Sequence, residues 1–167
     1  MSHPTGAPAV LTALVVDDEV EARRRVAGLL RLGGWHVLEA NGPVSALRQA
    51  RLASPDLVVT DVSMPGSDGI SMLRRLRREG SRARFLIVTA DPTDDVRAEA
   101  VTAGAMACLA KPVEARILLD FLRSRTTGPA AQDDPTAIQE FDDLHEVDLD
   151  AELWNRLPET PSGSRTH

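Results

Sequence analysis

The sequence predicts an α/β domain: a doubly wound, five-stranded parallel sheet of the (βα)5 kind. Three observations carry that expectation. Five short apolar runs recur between residues 10 and 125, and each is followed by a stretch whose apolar residues have helical spacing. The connections between them are short, as right-handed βα crossovers allow. The central runs are near-continuous in Val, Leu and Ile instead of alternating, as strands buried on both faces require.

The elements follow in order. Residues 10–16 read as the first strand. Residues 19–32 read as a helix with Val26, Leu29 and Leu30 among Arg23, Arg24, Arg25 and Arg31, ended by Gly33-Gly34. A short second strand over 35–39 leads to Asn41-Gly42-Pro43, where Pro43 suits the first turn of a helix holding Val44, Leu47 and Leu52. The third strand is expected over 56–60, a loop over 64–66, and a helix over 68–78 with Ile70, Leu73 and Leu76 on one face. The fourth strand spans 84–89. Asp91-Pro92 is expected to cap a helix running to Val101, stopped near Gly104. A fifth strand over 106–110 and a helix over 113–125 with Ile117, Leu118, Phe121 and Leu122 complete the set.

Composition bounds the function. The chain has 167 residues, 43% of them hydrophobic, enough for one domain with a real core and some chain left over. A single cysteine excludes an internal disulfide and a Cys-rich metal site, and fits a reducing compartment. No apolar stretch has membrane-spanning length, and residues 1–8 lack a charged segment before an apolar run. A soluble, cytoplasmic protein is expected, with no membrane partner. Residues 1–127 hold 15 acidic and 17 basic residues, whereas residues 128–167 hold 10 acidic and 2 basic. No chain-wide basic surface for nucleic acid follows from this charge, and the tail is a separate physical object.

The chemistry-bearing residues lie at strand ends. Asp17 and Asp18 follow Leu14-Val15-Val16, Asp61 follows Leu57-Val58-Val59-Thr60, and Thr89 follows Phe85-Leu86-Ile87-Val88. The carboxyl ends of parallel strands meet at one edge of the sheet. There the chain's one lysine, Lys111, stands against 18 arginines elsewhere: a compact ammonium suited to a small doubly charged group. Three close carboxylates cannot all ionise cheaply without a cation. With only oxygen ligands on offer, Mg²⁺ or Mn²⁺ is favoured over zinc. One carboxylate then becomes a nucleophile for an incoming phosphoryl group, with charge neutralised by the ion and by Lys111. No Gly-rich phosphate loop follows the first strand, which argues against a Rossmann or P-loop site.

Five segments in order, Val15-Val16-Asp17-Asp18-Glu19, Asp61 through Gly69, Val88-Thr89-Ala90, Ala103-Gly104-Ala105 and Lys111-Pro112, carry a family resemblance. Residues 10–125 resemble the receiver domain of two-component response regulators, similar to the stand-alone chemotaxis class and here followed by an acidic tail. The resemblance implies a flavodoxin-like receiver fold and a bacterial phosphorelay protein, not an enzyme beyond its own phosphorylation and dephosphorylation. It implies Asp61 as the phosphoacceptor, supplied by a histidine kinase or phosphotransfer protein and signalling to a downstream protein effector. It implies Mg²⁺ held by Asp18, Asp61 and the backbone carbonyl of Ser63, with Asp17 acting through water. Thr89 would hydrogen-bond the phosphoryl group, Lys111 would pair with it, and the Lys111-Pro112 bond would be cis. One position departs from the pattern. The family usually has Tyr or Phe three residues before the lysine, as the partner of the Thr in the switch; here it is Cys108, whose thiol cannot sweep out the volume of a ring. A phosphorylation-independent, pseudo-receiver-like interaction module is the alternative.

Residues 1–9 are expected to be disordered, and 126–167 to be a linker followed by an acidic, partly helical tail. Ile138, Phe141, Leu153, Trp154 and Leu157 are more apolar than a solvating tail needs, so the tail is expected to dock on this domain, a second copy or another protein. The forty residues of the tail are too few and too acidic for a helix-turn-helix output domain, and direct DNA binding is not expected.

Overall fold

Along the chain the elements are β1 (Thr12–Val16), α1 (Val20–Leu32), β2 (His36–Ala40), α2 (Pro43–Ala53), β3 (Leu57–Asp61), β4 (Ser63–Met64), β5 (Ser67–Asp68), α3 (Gly69–Arg78), β6 (Arg84–Thr89), α4 (Asp94–Thr102), β7 (Ala107–Ala110) and α5 (Ala115–Ser124). The structure, a computed structural model, describes residues 9–124. The expectations for the N-terminus before residue 9 and for the tail, including Ile138, Phe141, Leu153, Trp154 and Leu157, lie outside the described residues. Among the described residues, no helix is long and apolar enough to cross a membrane.

The sheet is parallel throughout, in the order β2-β1-β3-β6-β7. The chain runs outward from β1 to β2, then returns to build β3, β6 and β7 on the other side. The order therefore reverses between β1 and β3, and a crevice opens beyond the carboxyl ends of those two strands. Val16 is in register with Thr60, so the residues that follow, Asp17 and Asp61, emerge side by side. β3 is buried along its whole length, and Leu14, Val58, Phe85, Leu86 and Ile87 have no exposed surface. Helices on both faces account for this: a parallel sheet is stable when neither face meets water.

Where the elements depart from the sequence reading, local chemistry explains it. α2 buries Ala46, Leu47 and Ala50, while Val44 and Leu52 are exposed on its far side. At 100° per residue Ala46, Leu47 and Ala50 lie on one stripe of the helix, and Val44 and Leu52 lie off it. In the segment expected to be a loop over 64–66, Met64 ends β4 and Pro65-Gly66 is the turn of the small antiparallel β4–β5 hairpin, with Gly66 at positive φ. Asp91-Pro92 does not cap α4. Thr93 does, its Oγ1 accepting from the Val96 N–H at 3.3 Å. Pro92 disfavours helical backbone at Asp91, so the helix begins only after it.

The arginines of α3, Arg74, Arg75, Arg77 and Arg78, form a solvent-exposed face, and two of them also reach neighbouring elements. Arg74 pairs with Glu99 of α4 at 3.1 Å. Arg77 lies 4.8 Å above the Phe85 ring and donates to the Gly104 carbonyl. Glu79 receives the forked guanidinium of Arg51 and is held at about 2 by those hydrogen bonds, assisted by Arg75.

Asp68 starts α3, accepting from the Ser71 N–H at 2.7 Å and the Ser71 hydroxyl at 2.6 Å. Partial burial opposes its charge, but the Ser71 hydrogen bonds prevail and keep its carboxyl below the usual range. We expect Asp68→Ala to cost about 1 kcal/mol, as lost N-caps generally do. A depressed carboxyl stabilises above its unfolded value and loses that contribution as pH falls through its folded value. The difference between wild type and variant, measured by urea unfolding, should therefore shrink below pH 3.8, its ordinary value.

Candidate functional site

The crevice beyond β1 and β3 is lined by the predicted acids. Asp17 is 5% exposed and Asp61 7%, whereas Asp18 faces solvent. One carboxylate oxygen from each lies within 4.8 Å of the others. The β1–α1 turn sets the first pair: Asp17 Oδ1 accepts from the Glu19 N–H at 2.9 Å, and Arg23 Nη1 donates to the Asp17 carbonyl at 2.7 Å. On β3, the Ser63 N–H donates to Asp61 Oδ1 at 3.2 Å, which turns the chain into the hairpin directly after the acid.

Lys111 reaches into this cluster from the loop after β7. Its Nζ lies 2.7 Å from Asp17 Oδ2 and 3.1 Å from Asp61 Oδ2. Burial opposes the ammonium's charge, but the hydrogen bonds and charges of Asp17 and Asp61 outweigh it and hold the group above its ordinary value. It is thus cationic at any physiological pH. The Lys111-Pro112 peptide is cis, as the resemblance implied.

Thr89 is nearly fully buried at the end of β6. Its carbonyl accepts from the Lys111 N–H at 2.8 Å, so it stands beside the lysine. Its hydroxyl accepts from the Asp91 N–H at 3.3 Å rather than being committed to an acid. Cys108 is buried on β7, as expected of a small apolar residue. Burial pushes its thiol up, and the nearby Arg97 charge offsets part of that. The structure thus brings Asp17, Asp18, Asp61 and Lys111 into one cluster, with Ser63 bonded to Asp61 and Thr89 tied to Lys111 through the backbone.

Two contributors escaped the reading of the sequence. Arg23 was read as part of a basic run near the acidic pocket, but not as the anchor of the Asp17 carbonyl that it is. Gly69 was seen only as part of a motif, yet a Cβ there would collide with the Asp61 carbonyl oxygen and stand 2.9 Å from Thr60 Oγ1. Its N–H bonds the Val62 carbonyl at 2.9 Å, so α3 begins in backbone contact with the residue that follows Asp61. The Asp68-Gly69 pair was the available signal, since Gly at a helix start often marks close backbone approach.

The comparison that decides the family is a match of the response regulator receiver domain profile to residues 13–123. The chain belongs to the response regulator receiver domain family. It is 34% identical over 154 residues to the probable transcriptional regulatory protein TcrX of Mycobacterium tuberculosis, covering 88% of this chain and 65% of TcrX. It is 32% identical to the chemotaxis protein CheY of Bacillus subtilis, covering 64% of this chain and 90% of CheY. The structure of CheY4 from Vibrio cholerae superposes with a TM-score of 0.66 at 28% identity, covering 70% of this chain and 98% of CheY4. The chain spans less than two thirds of the first curated relatives it matches.

The receiver domain therefore has the CheY-like flavodoxin fold expected of it, and it is a two-component signalling module, not an ordinary enzyme. Its acidic pocket suits a hard divalent cation: every donor is an oxygen, two of the three acids are held by hydrogen bonds, and the set is compact.

Proposed function

We propose that Asp61 accepts a phosphoryl group from a histidine kinase or phosphotransfer protein, and that the acyl phosphate changes which proteins the receiver domain binds. The observation that carries this is Lys111 Nζ within 3.1 Å of Asp61 Oδ2 in a pocket of three clustered acids.

In the transfer, an Asp61 carboxylate oxygen attacks phosphorus. The new O–P bond replaces the P–N bond of a phosphohistidine, and the imidazole leaves with the electron pair and takes up a proton. Hydrolysis later returns the carboxylate and inorganic phosphate. Lys111 meets the charge on the phosphoryl oxygens from one side, and the Thr89 hydroxyl, which accepts from the Asp91 N–H, has its own proton to donate to them. Mg²⁺, held by Asp18, Asp61 and the Ser63 carbonyl with Asp17 through water, would neutralise charge between carboxylate and phosphoryl oxygens. Arg23 and Gly69 act earlier, by fixing the backbone of Asp17 and Asp61.

Intact-mass measurement with acetyl phosphate and Mg²⁺ tests this. Wild type should gain one phosphoryl group. Asp61→Asn should lose the adduct entirely, because an amide oxygen is a poor nucleophile, and excess EDTA should suppress it in wild type. Persistent labelling of Asp61→Asn would sink the assignment.

A phosphorylation-independent interaction module is the second reading, favoured by Cys108 at the position usually held by an aromatic residue. It predicts equal partner binding by wild type and Asp61→Asn, with or without phosphodonor. Under the leading reading the cell compartment is the cytoplasm, where such kinases present their phosphohistidine. The tail supplies partner contacts through Ile138, Phe141, Leu153, Trp154 and Leu157.

A further inference from the structure

The region around Cys108 contains a connection that the phosphorylation chemistry does not use. Arg97, in the second turn of α4, donates from Nε to the Pro92 carbonyl at 3.0 Å and from Nη1 to the Cys108 carbonyl at 3.1 Å. One rigid guanidinium thus ties the loop after β6 to the edge strand β7. A planar fork with fixed donor directions suits two acceptors at once, which an ammonium on a flexible stem does not.

The two ends of that tie matter. Pro92 directly follows Asp91, whose N–H donates to the Thr89 hydroxyl. Cys108 precedes by three residues Lys111, whose N–H donates to the Thr89 carbonyl. A short circuit of hydrogen bonds therefore runs from Lys111 to Thr89, to Asp91-Pro92, to Arg97 and back to β7. A Thr89 hydroxyl that moves toward a phosphoryl group on Asp61 either draws the Asp91 N–H along with it or lets that contact open, and in both cases the loop arrangement changes. Arg97 opposes that shift, because moving Pro92 away from Cys108 breaks at least one end of the fork. The residue three before the lysine is a thiol here and has no ring to rotate, whereas the Arg97 contact uses the Cys108 backbone and is indifferent to its side chain.

We propose that Arg97 is the positioning residue of the switch: its fork between Pro92 and Cys108 holds the receiver domain in the resting state, and its release couples Thr89 to the α4–β7 surface. This rests on phosphorylation of Asp61. It needs two arrangements of the loop, with the phosphoryl group binding one of them better. Reciprocity follows: whatever destabilises the resting arrangement must tighten binding of a phosphoryl mimic by the same factor.

Cys108 is the one cysteine in the full chain, so its alkylation reports on β7 without engineering. The experiment measures the rate of Cys108 alkylation by iodoacetamide, with and without beryllium trifluoride and Mg²⁺, in wild type, Arg97→Gln and Arg97→Lys. It also titrates beryllium trifluoride at fixed Mg²⁺. In wild type the mimic should speed alkylation several-fold. In Arg97→Gln the resting rate should already be raised, the ratio with and without mimic should fall toward one, and the mimic should bind several-fold more tightly. Arg97→Lys should lie between. Charge alone predicts the opposite resting rate: the Arg97 cation helps the thiolate, so removing it slows alkylation. A merely structural role for Arg97 would raise the resting rate but leave the binding of the mimic unchanged.

Acetyl phosphate labelling of the same samples separates the two levels. If wild type labels on Asp61 but Arg97→Gln keeps the wild-type ratio and affinity, the role of Arg97 is overturned and the phosphoacceptor stands. If wild type does not label, both fall together.

Discussion

Lys111→Met should lower the stability of the receiver domain by about 2–3 kcal/mol in EDTA, with much of that loss recovered in Mg²⁺. The ammonium lies 2.7 Å from Asp17 and 3.1 Å from Asp61, and its side chain is 15% exposed. Breaking a fully buried ion pair costs roughly 3–5 kcal/mol, because the remaining charge is left without compensation. The value here falls below that range because the crevice opens to solvent beside Asp18. A divalent cation can replace the missing charge, and the variant should bind it at least as tightly as wild type does, having lost a competing cation. Urea unfolding with and without Mg²⁺ measures both effects. The pH dependence has a definite sign. A lysine raised above its ordinary 10.5 stabilises fully below that value and loses its contribution only as pH rises through the folded value. The gap between wild type and Lys111→Met should therefore stay constant through neutral pH and narrow only in strong alkali. A variant as stable as wild type in EDTA would show that the acid cluster needs no internal cation.

Gly69→Ala should destabilise the domain by about 3 kcal/mol, the upper end of what a misplaced methyl group costs in a packed interior. The added carbon would collide with the Asp61 carbonyl oxygen, and that oxygen is backbone, unable to rotate away as a side chain would. Either α3 or the end of β3 must move by more than an ångström. In both cases the carboxylate of Asp61 leaves its place beside Lys111, so the folded fraction should also label more slowly with acetyl phosphate. Asp68→Ala is the control at the neighbouring position: it weakens the same helix start without touching Asp61, and its folded fraction should label normally. Wild-type stability in Gly69→Ala would contradict the close approach directly.

Most of the fold was legible because its cause is local. Runs such as Phe85-Leu86-Ile87-Val88 are too apolar to be half-solvated, and each is followed by a helix-spaced segment, so the βα repeat could be counted along the chain. The errors came where two signals competed. Val44 and Leu52 looked like part of the apolar side of α2 by hydrophobicity, but the stripe that faces the sheet holds Ala46, Leu47 and Ala50. Asp91 looked like a cap by residue type, but its proline neighbour and the Thr89 hydroxyl claim its backbone. The arginines of α3 are solvent-exposed, but nothing in sequence shows that Glu99 or the Phe85 ring stands beside Arg74 and Arg77.

By itself, the sequence determined the parallel sheet, the strand-end acids Asp17, Asp18 and Asp61, and the singular Lys111, because hydrophobic period and residue chemistry are properties of short segments. Tertiary structure alone decided that Lys111 bridges Asp17 and Asp61, that Gly69 must lack a side chain, and that Arg97 joins Pro92 to Cys108. Each of these is a distance between segments far apart in the chain or on different elements. Such distances follow from the order and register of the strands, which no single segment encodes.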